Sequence, residues 1–246
     1  MDILEYFTQY NDSFPDSARI AAFKENGRKI FGWLCTYIPE ELIHAAGCLP
    51  IRVTGYSQEK ELEDGTAFLY SNTCSFSRSC LQMAIDKKLD FLDGLIAGST
   101  CDGARRLYDQ WAMFLGVPFS HMVTVPRKYD SSACALYTGQ IACLKERLED
   151  YLNVSITDSA LEESIDLYNR SRKLMHRLYE LRKLDSPPVS GTDVMQIANA
   201  SYRMPKETFN DYIEILLAEL EHSRKKYEGR ARIMPVSYTH LRAHET

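Results

Sequence analysis

Residues 29–54 read KIFGWLCTYIPEELIHAAGCLPIRVT, and the fold is decided in this stretch. The apolar run at 29–35 has the length and composition of a buried strand. After a loop at 36–38, Pro39 opens a helix with Glu40 and Glu41 in its first turn, and Gly47 closes it. Proline at the start, acids in the first turn and glycine just past the end are helix punctuation in the right order. A second apolar run at 49–54 follows directly, so the stretch reads strand, helix, strand.

The alternation continues outward. Upstream, 16–25 reads as a helix ended by Gly27; downstream, 58–65 is polar and acidic, a surface loop or short helix. Residues 74–87 read as a helix, 94–97 (GLIA) as a strand, 102–115 as a helix, and 121–125 (HMVTV) as a strand stopped by Pro126. Strands alternating with helices at this spacing imply βαβ units around a parallel sheet. From about residue 133 the period changes to the helical one. Tyr137, Ile141, Leu144, Leu148 and Leu152 form one stripe, and Leu161, Ile165, Tyr168, Met175 and Leu178 a second. Phe209, Ile213, Leu216 and Leu220 form a third behind Pro205, with DSPPVSG at 185–191 as the obvious linker. The expected architecture is α/β: a Rossmann-like, mostly parallel four-stranded sheet flanked by helices over 1–132, then a helical region over 133–230.

The far end reads differently. Residues 231–235 have the character of a new buried strand, as if a second α/β domain were starting. Residues 236–246 read VSYTHLRAHET, which resembles a sequencing-library adapter translated in frame. This tail is set aside as non-native, and with it His240 and His244.

The chain has 246 residues and a formal net charge of 29 − 34 = −5, with 45% hydrophobic and 26% charged residues. That length allows a substantial core. The mild acidity argues against a nucleic-acid or anionic-membrane surface. No apolar run approaches a membrane span and the N-terminus has no signal-peptide core, so a cytoplasmic protein is expected. Seven cysteines stand at 35, 48, 74, 80, 101, 134 and 143, an odd number with no CxxC. In a cytosolic chain they are not disulfide staples.

In open α/β sheets, ligands bind beyond the carboxyl ends of the strands. Cys101 directly follows the strand-and-turn GLIAGST, Cys74 stands at the mouth of a helix, and Glu41 lies in the first turn after the first strand. A helix N-terminus favours an anionic sulfur, which suits a metal ligand or a nucleophile. Each residue also has a plainer reading: the thiols as packing, Glu41 as a first-turn acid like Glu40. Cys35, Cys48, Cys134 and Cys143 lie in apolar patterns and are assigned to the core. Cys80, six residues after Cys74, faces nearly the opposite side of its helix. Residues 32–55 and 70–111 together go further.

The segments GWLCTYIPEELIHAAGCLPIRVTG (32–55) and YSNTCSFSRSCLQMAIDKKLDFLDGLIAGSTCDGARRLYDQW (70–111) resemble, in order and spacing, the opening motifs of the 2-hydroxyacyl-CoA dehydratase and benzoyl-CoA reductase superfamily. The resemblance implies subunits of two Rossmann-like domains, each subunit holding a 4Fe–4S cluster through three cysteines. Two of these map onto Cys74 and Cys101; the third would come from the second domain. Three thiolates leave one iron open to a substrate oxygen. The implied reaction is loss of water from an (R)-2-hydroxyacyl-CoA through a ketyl radical, giving a 2-enoyl-CoA. It is primed by an ATP-dependent activator iron–sulfur protein. The implied partners are the CoA thioester, that activator and a homologous sister subunit in a heterodimer; a chain without the second domain would be inactive alone. Glu41, at the family's PxE position, becomes the candidate for substrate contact or proton transfer. Arg105 and Arg106 could meet CoA phosphates or simply form a solvated helix face. Alternatives are a ring-reducing benzoyl-CoA-reductase-like subunit, a non-catalytic cluster-binding partner, and a zinc or binding protein.

Overall fold

The computed structural model describes residues 2–25, 27–56, 62–223 and 226–227. The expectations for 231–235 and 236–246 fall outside these residues. In chain order the elements are α1 (Ile3–Asp12), α2 (Ser17–Lys24), β1 (Ile30–Leu34), α3 (Glu40–Ala45), β2 (Leu49–Arg52), α4 (Glu63–Phe68) and α5 (Ser75–Ile85). There follow β3 (Gly94–Gly98), α6 (Asp102–Gln110) with a π-helical turn at Trp111–Leu115, β4 (Phe119–Val123), α7 (Ser131–Leu152), α8 (Asp158–Arg182), α9 (Gly191–Ser201) and α10 (Lys206–Glu221). None of the helices among the described residues is long and apolar enough to cross a membrane.

The four strands form one sheet in the order β2-β1-β3-β4, and every pairing is parallel. β1, β3 and most of β2 are buried on both faces, as a sheet covered by helices requires. Alternate residues of each strand therefore enter different cores. Ile30, Ile51, Leu95 and Ala97 pack with Cys80, Leu81 and Leu107 of α5 and α6. Phe31, Trp33, Ile96 and Phe119 pack on the other face with Leu144 and Leu148 of α7 and Ile43 of α3.

A third core is helical. Leu174 and Leu178 of α8, Ile197 of α9, and Phe209, Ile213 and Leu217 of α10 enclose Ile3 and Phe7 from the start of the chain. The three expected stripes correspond to α7, α8 and α10. Two helices lie outside those expectations. α1 carries Ile3, Phe7 and Asn11 on one buried stripe. α9 begins within the expected linker, behind a capping box in which Ser190 and Asp193 satisfy each other's backbone N–H.

A cysteine pair at the carboxyl edge of the sheet

β3 delivers the chain through Ser99 and Thr100 to Cys101. The loop is tied down: the Ser99 N–H donates to the Val123 carbonyl at 2.9 Å, and the Val125 N–H donates to Ser99 Oγ at 3.0 Å. Cys101 is the N-cap of α6, exposed, and its sulfur accepts the Ala104 N–H at 3.3 Å. Cys74 is the N-cap of α5, half-buried, with its sulfur 3.3 Å from Ser77 Oγ.

The two caps approach each other because Gly103, in the first turn of α6, has no side chain. A methyl group there would stand 3.5 Å from the Cys74 sulfur and 2.9 Å from Ser77 Oγ. The Cys74 sulfur thus lies against the first turn of the helix that Cys101 caps. Two helix N-termini, each with unsatisfied N–H groups and the positive end of a dipole, bring a thiol apiece to one locality.

Cys35 departs from its assignment to the core. It is half-buried at the end of β1, with φ 78°, and a methyl group on neighbouring Gly98 would lie 3.8 Å from its Cβ. The strand order changes direction between β1 and β3, so Cys35 and Cys101 follow the two strands that flank the switch point. The rule that singled out Cys101, a cysteine just past a buried strand, applies to Cys35 equally. Cys134 and Cys143 are exposed on α7, because Tyr137, Ile141, Leu144 and Leu148 fill its apolar stripe. Cys48 and Cys80 are buried, and burial pushes the Cys48 thiol up to about 12 and the Cys80 thiol higher still. Among the described residues, no three His, Cys, Asp or Glu side chains stand together closely enough to hold a metal ion. The donors here fit two ligand positions of a cluster and do not complete a set.

Glu41 is largely buried at the start of α3, and its partners belong to α8. Arg172 donates to its carboxylate and Ser164 Oγ donates to its carbonyl at 2.8 Å. Glu40, in the first turn of α3 as expected, is largely buried 3.7 Å from Lys206 Nζ, and its Oε2 has no hydrogen-bond partner among the described residues. Burial pushes the Glu40 carboxyl up and the Lys206 ammonium down, while the attraction between them opposes both shifts. This pair pins α3 to the start of α10. Nothing in the sequence links the two, since they are 166 residues apart (206 − 40). Arg106 pairs with Asp102 and Asp109 on its own helix, and Arg105 donates to the Ser99 carbonyl, so these two arginines form a helix face and a loop tie.

The fold and this edge define a class: a parallel α/β protein with two cysteines capping neighbouring helices at the mouth of the sheet. Residues 35–242 match the family described as 2-hydroxyglutaryl-CoA dehydratase, D-component, and the chain belongs to that family. The match extends into the tail set aside on sequence grounds. The chain is similar to one of the subunits of the benzoyl-CoA reductase of Thauera aromatica, with 33% identity over 85% of this chain and 54% of that protein. It is also similar to the (R)-2-hydroxyglutaryl-CoA dehydratase beta subunit of Acidaminococcus fermentans, 27% identical over 82% of this chain and 53% of that one. The (R)-phenyllactyl-CoA dehydratase beta subunit of Clostridium sporogenes is 25% identical over 92% of this chain and 61% of its own length. The chain spans little more than half the length of these relatives.

Proposed function

We propose that the chain is part of a cluster-binding subunit of a radical 2-hydroxyacyl-CoA dehydratase. The observation that carries this reading is the Cys74 sulfur resting against the first turn of the helix capped by Cys101. Cys74 and Cys101 would hold a 4Fe–4S cluster by two thiolates, with the third supplied from outside the described residues. When bound, the cluster supplies one-electron chemistry at the thioester. The chain's own residues would hold and orient it: Cys74 and Cys101 cap neighbouring helices, and the Ser99 loop fixes the backbone before Cys101. Glu41, held in place by Arg172, is the proposed residue for proton transfer or substrate contact. The proposed partners are a sister subunit and an ATP-dependent activator.

Iron counting after anaerobic reconstitution of the full-length subunit tests the ligand set. Cys101→Ala should lose cluster absorbance and most iron, whereas Cys80→Ala, whose thiol is enclosed in the core, should keep both. Equal iron in the two variants would refute the assignment.

A second reading, ring reduction, is favoured by the 33% identity to a benzoyl-CoA reductase subunit. Supplying activator, ATP and reductant with either an (R)-2-hydroxyacyl-CoA or benzoyl-CoA separates the two: turnover of the hydroxyacyl thioester alone supports dehydration, and of benzoyl-CoA alone, the reductase.

A further inference from the structure

Arg203, in the turn between α9 and α10, is 8% exposed, and no carboxylate lies within 4.0 Å of it among the described residues. Its guanidinium donates to the Asn11 carbonyl at 3.3 Å, to Asn11 Oδ1 at 3.4 Å and to Thr54 Oγ1 at 3.1 Å, and it stacks 4.7 Å from the centre of the Phe14 ring. All of these acceptors are neutral, and the two bonds to Asn11 are long. Asp12 contributes only a distant attraction. Burial pushes the guanidinium pKa down to about 10. A buried cation with no counterion is a costly arrangement unless an anion arrives to complete it.

The surroundings show from which side an anion can come. Arg203 and Phe14 border two cavities. One, of about 280 Å³, is walled by Tyr6, Tyr10, Phe23, Ile51 and Met204 and is apolar; Asp16, the one acid in its lining among the described residues, is occupied by Arg19 at 3.3 Å. The other, of about 250 Å³, is walled by Asn11, Gly55, Tyr56, Met83 and a second cation, Lys88. Lys88 is exposed and has no ion-pair partner among the described residues. Asp86, just before it in the chain, accepts from the Tyr56 hydroxyl and from the Gln82 amide. Two positive residues from separate turns therefore border a chamber with no carboxylate in its lining among the described residues.

We propose that this chamber is an oxyanion site in which Arg203 and Lys88 hold a phosphate group. A planar guanidinium and a flexible ammonium are the usual pair of donors for a phosphate, one giving direction and the other charge. The site lies on the flank of the sheet beside β2 and uses neither cysteine, so it stands or falls separately from the cluster reading.

Titration calorimetry on the whole 246-residue chain, with inorganic phosphate and with CoA as probes, tests it. Saturable phosphate binding is expected, weakened about fivefold or more in Lys88→Gln and unchanged in Lys145→Gln, a surface control on α7. Arg203 also ties α1 to the end of β2, so Arg203→Gln is expected to lose stability; the exposed Lys88 carries the test. Displacement of phosphate by CoA would show that the phosphate belongs to a CoA, and failure of CoA to compete would assign free phosphate. No saturable binding of either probe at tens of millimolar, or equal binding in wild type and Lys88→Gln, overturns the proposal.

Discussion

His121 on β4 is buried, and Arg147 donates to its Nδ1 at 2.9 Å. Nδ1 must then be an acceptor, which leaves the ring proton on Nε2, a buried atom with no partner among the described residues. Burial first, and the Arg147 charge second, push its pKa below the ordinary 6.5. The folded protein keeps this imidazole neutral while the unfolded chain takes up a proton. Stability is therefore lost as pH falls from about 6.5 towards the lowered folded value. Between about pH 7.5 and 5.5, the melting temperature of wild type should fall more steeply than that of His121→Gln; parallel slopes would show that this histidine contributes nothing. Single residues were unevenly legible in the sequence. Cys74 and Cys101 could be read from their places after a turn and a strand, because helix caps are local. Glu40, Lys206 and Arg203 could not, because what buries them comes from the other end of the chain.

Gly94 shows how one strand depends on its neighbours. In register it lies between Phe31 of β1 and Phe119 of β4, whose rings meet edge to face at 5.5 Å. A methyl group on Gly94 would fall 2.5 Å from the Phe31 ring and 3.2 Å from the Phe119 Cβ. Gly94→Ala should cost about 1–3 kcal/mol in urea denaturation through overpacking, although alanine is intrinsically the better strand residue. An unchanged midpoint would mean that the two rings separate freely. The strands were readable because burial on both faces leaves continuous apolar runs, although β4 begins at Phe119 rather than at His121. The single helix expected over 102–115 is instead α6 followed by a π-helical turn, a change of winding that has no periodic signature. α1 was missed because its stripe is short and set among polar residues. α9 hid behind the proline pair that marks a linker, although Ser190 and Asp193 form a legible cap.

At the scale of the molecule, three cores are arranged as two faces of one sheet and a helical layer that reaches back to residue 3. Phe7 is fully buried, 5.8 Å from Phe209. Phe7→Ala should cost about 3–5 kcal/mol, and because it leaves a void among α8, α9 and α10, the loss should appear as a lower denaturation midpoint for helical signal from those elements. A midpoint unchanged within error would show that α1 is only draped on the surface. The same contact sets a timetable. Phe7 leaves the ribosome 202 residues before Phe209 (209 − 7). At roughly 5–20 residues per second this is a wait of about 10–40 s. For most of that interval the amphipathic first helix has no native surface to cover it, because α8, α9 and α10 all follow the last strand of the sheet in the chain. A segment synthesised well before the sheet is thus placed only after it, exposed to chaperones and proteases until α10 emerges.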